Sequence, residues 1–128
     1  MSTILYIEDN EDNVALLRLR LELEGFEVLI APDGATGIAS AAAHRPDIIL
    51  MDLDLPDIDG FEATRRIRDD AQMGRIPVIA VSAHAMPEHR ERASAAGCDE
   101  FEAKPVDFGR LLGKIRKLLQ DQNGQAPA

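Results

Sequence analysis

Residues 48–60 read IILMDLDLPDIDG: four aliphatic residues in a row, a carboxylate at Asp52, then a polar loop closing on Gly60. A short run that is apolar at every position marks a strand covered on both faces, as in the middle of a parallel sheet. Similar runs recur at Ile4–Ile7, Val28–Ile30, Val78–Val81 and, more weakly, Glu100–Ala103. Segments with helical spacing lie between them. Val14, Leu17 and Leu21 share a face that stops at Gly25, and Ile38 and Ala42 share another that ends before Pro46. Phe61, Thr64 and Ile67 mark a third helix after Gly60, and Pro87 opens a fourth that Gly97 closes. Asp107 caps a fifth, with Leu111, Ile115 and Leu118 on its inner face.

Strand and helix alternate five times in 128 residues, which predicts an α/β fold. The expected form is a flavodoxin-like, doubly wound (βα)5 three-layer sandwich around a parallel five-stranded sheet in the order 2-1-3-4-5. One domain is expected over 1–120, with 121–128 as a flexible C-terminal tail too polar and short to hold a core. A net charge of −9, from 14 basic and 23 acidic residues, argues against direct binding of DNA or RNA. No stretch approaches the ~20 apolar residues that span a bilayer, and the first residues lack the basic end and apolar length of a signal peptide. Cys98 is the single cysteine and has no second thiol to pair with, which fits a reducing compartment. The expectation is a cytoplasmic protein that engages neither nucleic acid nor membrane.

Right-handed crossovers put the carboxyl ends of parallel strands on one edge of the sheet, where open α/β folds bind ligands. Glu8 and Asp9 follow the first strand, Asp52 the third, Ser82 the fourth and Lys104 the fifth. The first and third strands flank the point where the winding reverses, so three carboxylates share one crevice. At ~5 Å and an effective dielectric near 20, each carboxylate pair repels by roughly 3 kcal/mol, which calls for a compensating cation. Mg²⁺ suits an all-oxygen set that leaves room for a phosphoryl oxygen, with Mn²⁺ as a possible substitute. A carboxylate attacking a phosphoryl group builds charge on the equatorial oxygens, which Lys104, the cation and the Ser82 hydroxyl can meet. Ala83 is small and leaves the approach to Asp52 open.

These residues lie in four stretches: ILYIEDN at Ile4–Asn10, IILMDLDLPDIDG at Ile48–Gly60, VSAHAM at Val81–Met86 and GCDEFEAKP at Gly97–Pro105. Together they resemble the response-regulator receiver family of two-component signalling, from about Thr3 to Leu119. Within it the chain is most similar to single-domain regulators of the DivK type and to the receivers of hybrid kinases. The resemblance implies that Asp52 is the phosphoacceptor. It implies that Asp9, Asp52 and the backbone carbonyl of Asp54 ligate Mg²⁺, and that Glu8 acts through a metal-bound water. Ser82 and Phe101 are implied as the switch: the hydroxyl swings toward the phosphoryl group and the aromatic ring turns inward. Also implied are a histidine kinase or phosphotransfer protein as donor, a downstream effector protein, and a monomer or weak phosphorylation-dependent dimer. Such a protein assists its own phosphotransfer and slow autodephosphorylation but is not a turnover enzyme.

Three departures from the commonest family pattern stand out: Glu8 where Asp is frequent, Ser82 where Thr is frequent, and the pair Asp54 and His84, which together with Ala83 bear on acyl-phosphate lifetime. A haloacid-dehalogenase-type phosphatase would also carry an Asp-x-Asp such as Asp52-Leu53-Asp54. That motif sits on the first strand there, a second acidic pair follows the lysine, and Glu8-Asp9 would be left unexplained. A receiver that binds partners without being phosphorylated is the other alternative, against which the full set of acceptor, acidic pair, hydroxyl and lysine counts. Elsewhere the simplest readings are structural. Cys98 is a packed small side chain, and His44, His84 and His89 are surface or supporting residues. Arg65, Arg66 and Arg68 are surface charge, and Arg110, Lys114, Arg116 and Lys117 are a solvated face of the last helix.

Overall fold

A computed structural model of the chain describes residues 1–124. Its elements run β1 (Thr3–Ile7), α1 (Glu11–Leu23), β2 (Glu27–Ala31), α2 (Gly34–His44), β3 (Ile48–Asp52), α3 (Gly60–Asp69), β4 (Val78–Ser82), α4 (Pro87–Ala96), β5 (Glu100–Ala103) and α5 (Phe108–Gly124). All strand pairs are parallel, and the sheet order is β2-β1-β3-β4-β5, as the alternation predicts.

The period of two along each strand sorts side chains onto opposite faces of the sheet. Leu5, Ile7, Ile49, Met51, Val78 and Ala80 pack with Ala41 of α2, Phe61 and Ile67 of α3, and Ala93 and Ala96 of α4. Ile4, Tyr6, Ile48, Leu50 and Ile79 pack on the other face with Leu17 and Leu21 of α1 and Leu111 and Ile115 of α5. Every residue of β3 and β4 is buried. Each fully buried Leu or Ile of these layers contributes about 1.5–3 kcal/mol of transfer free energy. Helix starts are fixed locally: Asn10, Asp33 and Asp59 each accept a backbone N–H three residues on, and Asp107 does the same for Arg110.

The structure departs from the sequence reading at four places. The inner face of α2 is Gly34, Gly37 and Ala41, with Ile38 half-buried and Ala42 exposed, so the helix is rotated by one position from the expected face. α5 continues to Gly124, into the segment expected as tail, while 125–128 lie outside the described residues. Lys114 does not belong to a solvated face: it donates to the carbonyl of Phe101 and, at 2.9 Å, to the buried carboxylate of Glu102, locking α5 to β5. Arg68 is likewise no surface charge. Its guanidinium reaches the carbonyls of Gly97 at 2.8 Å and Ile76 at 2.6 Å and the Asp99 carboxylate at 2.7 Å, tying α3 to the connections that lead into β4 and β5.

Gly97 serves that same junction. Its φ of +112° lies in the left-handed region, and a Cβ there would stand 2.6 Å from Cγ of Arg68. Replacing Arg68 by Met keeps its stem but removes the donor to the carbonyls of Gly74, Ile76 and Gly97 and leaves Asp99 with the Val78 N–H and no cation. The substitution is expected to lower unfolding stability by roughly 2–3 kcal/mol, read as a fall in urea midpoint, whereas Arg65→Met on the exposed side leaves it near wild type.

Candidate functional site

Strand register builds the site. β1 and β3 are neighbours, with Ile7 opposite Met51, so the residues that follow Ile7 stand beside Asp52 at the end of β3. Asp52 pairs in register with Val81, which brings Ser82 alongside, and Ser82 pairs with Ala103, which brings Lys104 alongside. Carboxylate oxygens of Glu8, Asp9 and Asp52 all lie within 4.8 Å of one another. Lys104 Nζ is 3.2 Å from Glu8 Oε1 and 3.4 Å from Asp52 Oδ1. Glu8 and Asp52 are buried, whereas Asp9 is exposed at the rim.

Burial first, and the neighbouring Glu8 second, push the Asp52 carboxyl up to about 7, against the pull of the Asp54 N–H and Lys104. Burial works in the same direction on Glu8, but its hydrogen bond with Asp52, the Lys104 charge and the Asn10 N–H outweigh it and hold Glu8 low. The two carboxyls titrate as a coupled pair, with Asp52 pushed up and Glu8 held low. Lys104 is raised: burial opposes its charge, and Asp52 and Glu8 more than restore it. Tyr6, buried beneath the pair and donating to Glu8 Oε1 at 3.2 Å, is raised by burial and by the Glu8 charge.

The loop after β3 is held from two sides. Asp54 N–H donates to Asp52 Oδ1 at 2.9 Å, which fixes the acceptor's rotamer. Asp57 receives the N–H groups of Gly34 and Ala35 at the start of α2, at 2.8 and 3.0 Å, and these bonds hold its carboxyl below the usual range. Gly60 lets α3 begin against the strand, since a Cβ there would meet the Asp52 carbonyl at 2.5 Å. Around Ser82 the hydroxyl contacts Asp54 Oδ2 at 3.5 Å, the His84 N–H at 3.0 Å and His89 Nε2 at 3.3 Å. Ala83 is exposed beside it, its N–H 3.4 Å from Asp54 Oδ2, and His84 Nε2 stands 4.0 Å from Asp54 Oδ1. Phe101 is 9% exposed, already folded into the core cluster rather than standing out from it.

A family profile described as "Response regulator receiver domain" matches residues 4–116. The chain belongs to the response regulator receiver family. This receiver is 39% identical over 119 residues to the polar-differentiation response regulator DivK of Brucella anthropi, covering 93% of this chain and 97% of that protein. Among solved structures, the receiver domain of the sensor histidine kinase PA1611 from Pseudomonas aeruginosa is 35% identical with a TM-score of 0.87, covering 93% of this chain and 98% of that one. That structure has a magnesium ion coordinated in its active site cleft. A CheY-like receiver from Methanospirillum hungatei superposes with a TM-score of 0.91 at 28% identity, covering 98% of this chain and 99% of that one.

The donor set of this receiver fits a hard divalent cation. All three candidate side-chain ligands offer oxygen, and the cluster of three carboxyls has one lysine, against Glu8 and Asp52, so one unit or more of positive charge is called for. Sequence reading brought together every member of this cluster but missed its support Tyr6, which lies inside an apolar run and reads as core. His89, read as a surface or supporting residue, takes the supporting role, beside Ser82.

Without a cation, folded Asp52 keeps its proton up to about pH 7, while an unfolded aspartate releases its own near ~4. The proton therefore stabilises the fold at low pH, and that contribution is lost as pH rises from ~4 through about 7. A cation must displace this proton, so Mg²⁺ is expected to raise the thermal midpoint more at about pH 8 than at about pH 5. An equal or larger rise at the lower pH contradicts this assignment.

Proposed function

We propose that this receiver accepts a phosphoryl group on Asp52, in a Mg²⁺-dependent reaction, from the phosphohistidine of a histidine kinase or phosphotransfer protein. The observation that carries the reading is the Asp52 carboxylate at the end of β3, within 3.4 Å of the Lys104 ammonium and clustered with Glu8 and Asp9. An Asp52 oxygen attacks phosphorus, the new O–P bond forms as the P–N bond breaks, and the electron pair leaves with the donor imidazole. The Asp54 N–H holds the attacking carboxylate in place, and Lys104 balances charge that develops on the phosphoryl oxygens. Asp9, Asp52 and the carbonyl of Asp54 would hold Mg²⁺, or Mn²⁺ in its place, and the bound ion supplies positive charge to the phosphoryl group. Both Glu8 oxygens already accept hydrogen bonds or face Lys104, which supports a role through water rather than direct ligation.

Ser82 and Phe101 form the switch in this reading. The hydroxyl exchanges its Asp54 contact for a phosphoryl oxygen, and Phe101, buried from the outset, changes its contacts within the pocket. The face formed by α4, β5 and α5 then carries the signal to an effector protein. Asp54, Ala83 and His84 line the mouth above Asp52 and set how easily water reaches the acyl phosphate, hence the rate of slow autodephosphorylation. The protein acts as a cytoplasmic phosphoacceptor, not a turnover enzyme, as a monomer or a weak phosphorylation-dependent dimer.

Incubation with acetyl phosphate and Mg²⁺ is expected to add the mass of one phosphoryl group to the wild type and none to Asp52→Asn, whose amide keeps the volume but is a poor nucleophile. Modification of Asp52→Asn under the same conditions, or none of the wild type, overturns the proposal. Lys104→Ala is expected to fold and to lose roughly 2–4 kcal/mol of transition-state stabilisation, read as the phosphorylation rate constant at saturating Mg²⁺.

A further inference from the structure

The Ser82 hydroxyl has three partners and one proton. The His84 N–H is a donor and the Asp54 carboxylate in its ionised form an acceptor, so the hydroxyl accepts the first and donates to the second. The third contact, to His89 Nε2 at 3.3 Å, completes the set only if His89 donates and the hydroxyl accepts with its second lone pair. The ring that delivers this N–H is held by aromatic neighbours on three sides. It meets Phe61 edge to face with centroids 5.0 Å apart, His84 at 5.6 Å and Phe101 at 6.4 Å. His89 sits in the first turn of α4, and the same helix covers the two phenylalanines with cations: Arg90 lies 4.6 Å over the Phe101 ring and Arg92 4.0 Å over that of Phe61. One helix thus holds both a hydroxyl at the end of β4 and an aromatic ring on β5.

From this geometry we infer that His89 is a positioning residue of the switch, its Nε2–H tethering the Ser82 hydroxyl in the resting rotamer while its ring is wedged between Phe61 and Phe101. The inference deepens the phosphorylation reading above and rests on it. When Ser82 turns toward Asp52 the tether breaks, His89 loses its acceptor, and the first turn of α4 is freed together with the ring contact to Phe101. Hydroxyl, aromatic ring and helix then change as one unit because a single imidazole touches the first two and belongs to the third. Without the tether, Ser82 has a less sharply preferred rotamer, since a serine lacks the second branch that stiffens a threonine.

Two substitutions separate the bond from the packing. His89→Phe keeps an aromatic wedge and removes the donor, while His89→Gln keeps an N–H near the position of Nε2 and removes the ring. The readout is the χ1 rotamer of Ser82 in the unphosphorylated protein, from its Hα–Hβ scalar couplings, with the Phe101 ring and α4 amide shifts followed in the same samples. Wild type and His89→Gln are expected to show one dominant Ser82 rotamer. His89→Phe is expected to show averaged couplings, with the rotamer ratio moved by roughly two- to tenfold, the range for losing one neutral hydrogen bond. Equal couplings in His89→Phe and His89→Gln, whether both resemble the wild type or both are averaged, overturn the inference. Intact-mass measurement of wild type and Asp52→Asn after acetyl phosphate treatment, run alongside, reports separately on the phosphorylation reading, because the rotamer is read before any phosphate is added.

Discussion

Three carboxylates clustered at the end of a sheet that cannot let them separate, two of them against one lysine, set the terms for the rest of this structure. Glu8 and Asp9 are placed by β1 and Asp52 by β3, and the register between these strands leaves the side chains within 4.8 Å of each other. Burial and the neighbouring Glu8 together drive the Asp52 carboxyl up to about 7, so a cation binding beside it must displace a proton. Burial, like charge and a fixed rotamer together make a carboxylate whose state depends on what binds beside it.

The scaffold around this centre is rigid where it places charge and lighter where it responds. Asp57 binds the start of α2, Gly60 allows α3 to press on the backbone of Asp52, and Arg68 with Gly97 fastens α3 to the β4 and β5 connections. On the other side Lys114 and the buried Glu102 fix α5 to β5. α4 has no such charged anchor at its first turn: Met86 provides no side-chain cap, and the turn is held by the His89 bond to Ser82, the His89 ring among Phe61, His84 and Phe101, and the Arg90 contacts to Phe101 and the Ala85 carbonyl. A change at the Ser82 hydroxyl therefore meets the least resistance along α4.

Much of this was legible in the chain. Runs such as IILM before Asp52 and VIAV before Ser82 are apolar at every position because both faces are covered, and this settled strand identity and the parallel sheet. Strand ends then located the acidic cluster, Ser82 and Lys104 without knowledge of loop paths. What escaped depended on how helices dock. Small residues through GATGIASAAAH give almost no phase, so the inner face of α2 was misjudged by one position. Arg68 reads as one of three arginines in a row of polar residues, yet only it points at carbonyls, supplied by the connections before β4 and before β5. His89 owes its place to the docking of the first turn of α4 beside Ser82, Phe61 and Phe101, and no spacing in the sequence encodes that.

The most direct test asks which atom carries the phosphate. Borohydride reduction of the acetyl phosphate-treated protein converts an acyl phosphate to an alcohol, and tandem mass spectrometry of the peptides then locates it. The account predicts homoserine at position 52 and at no other aspartate. Reduction product at Asp9 or Asp54 instead, or its appearance at several exposed carboxylates alike, would contradict it.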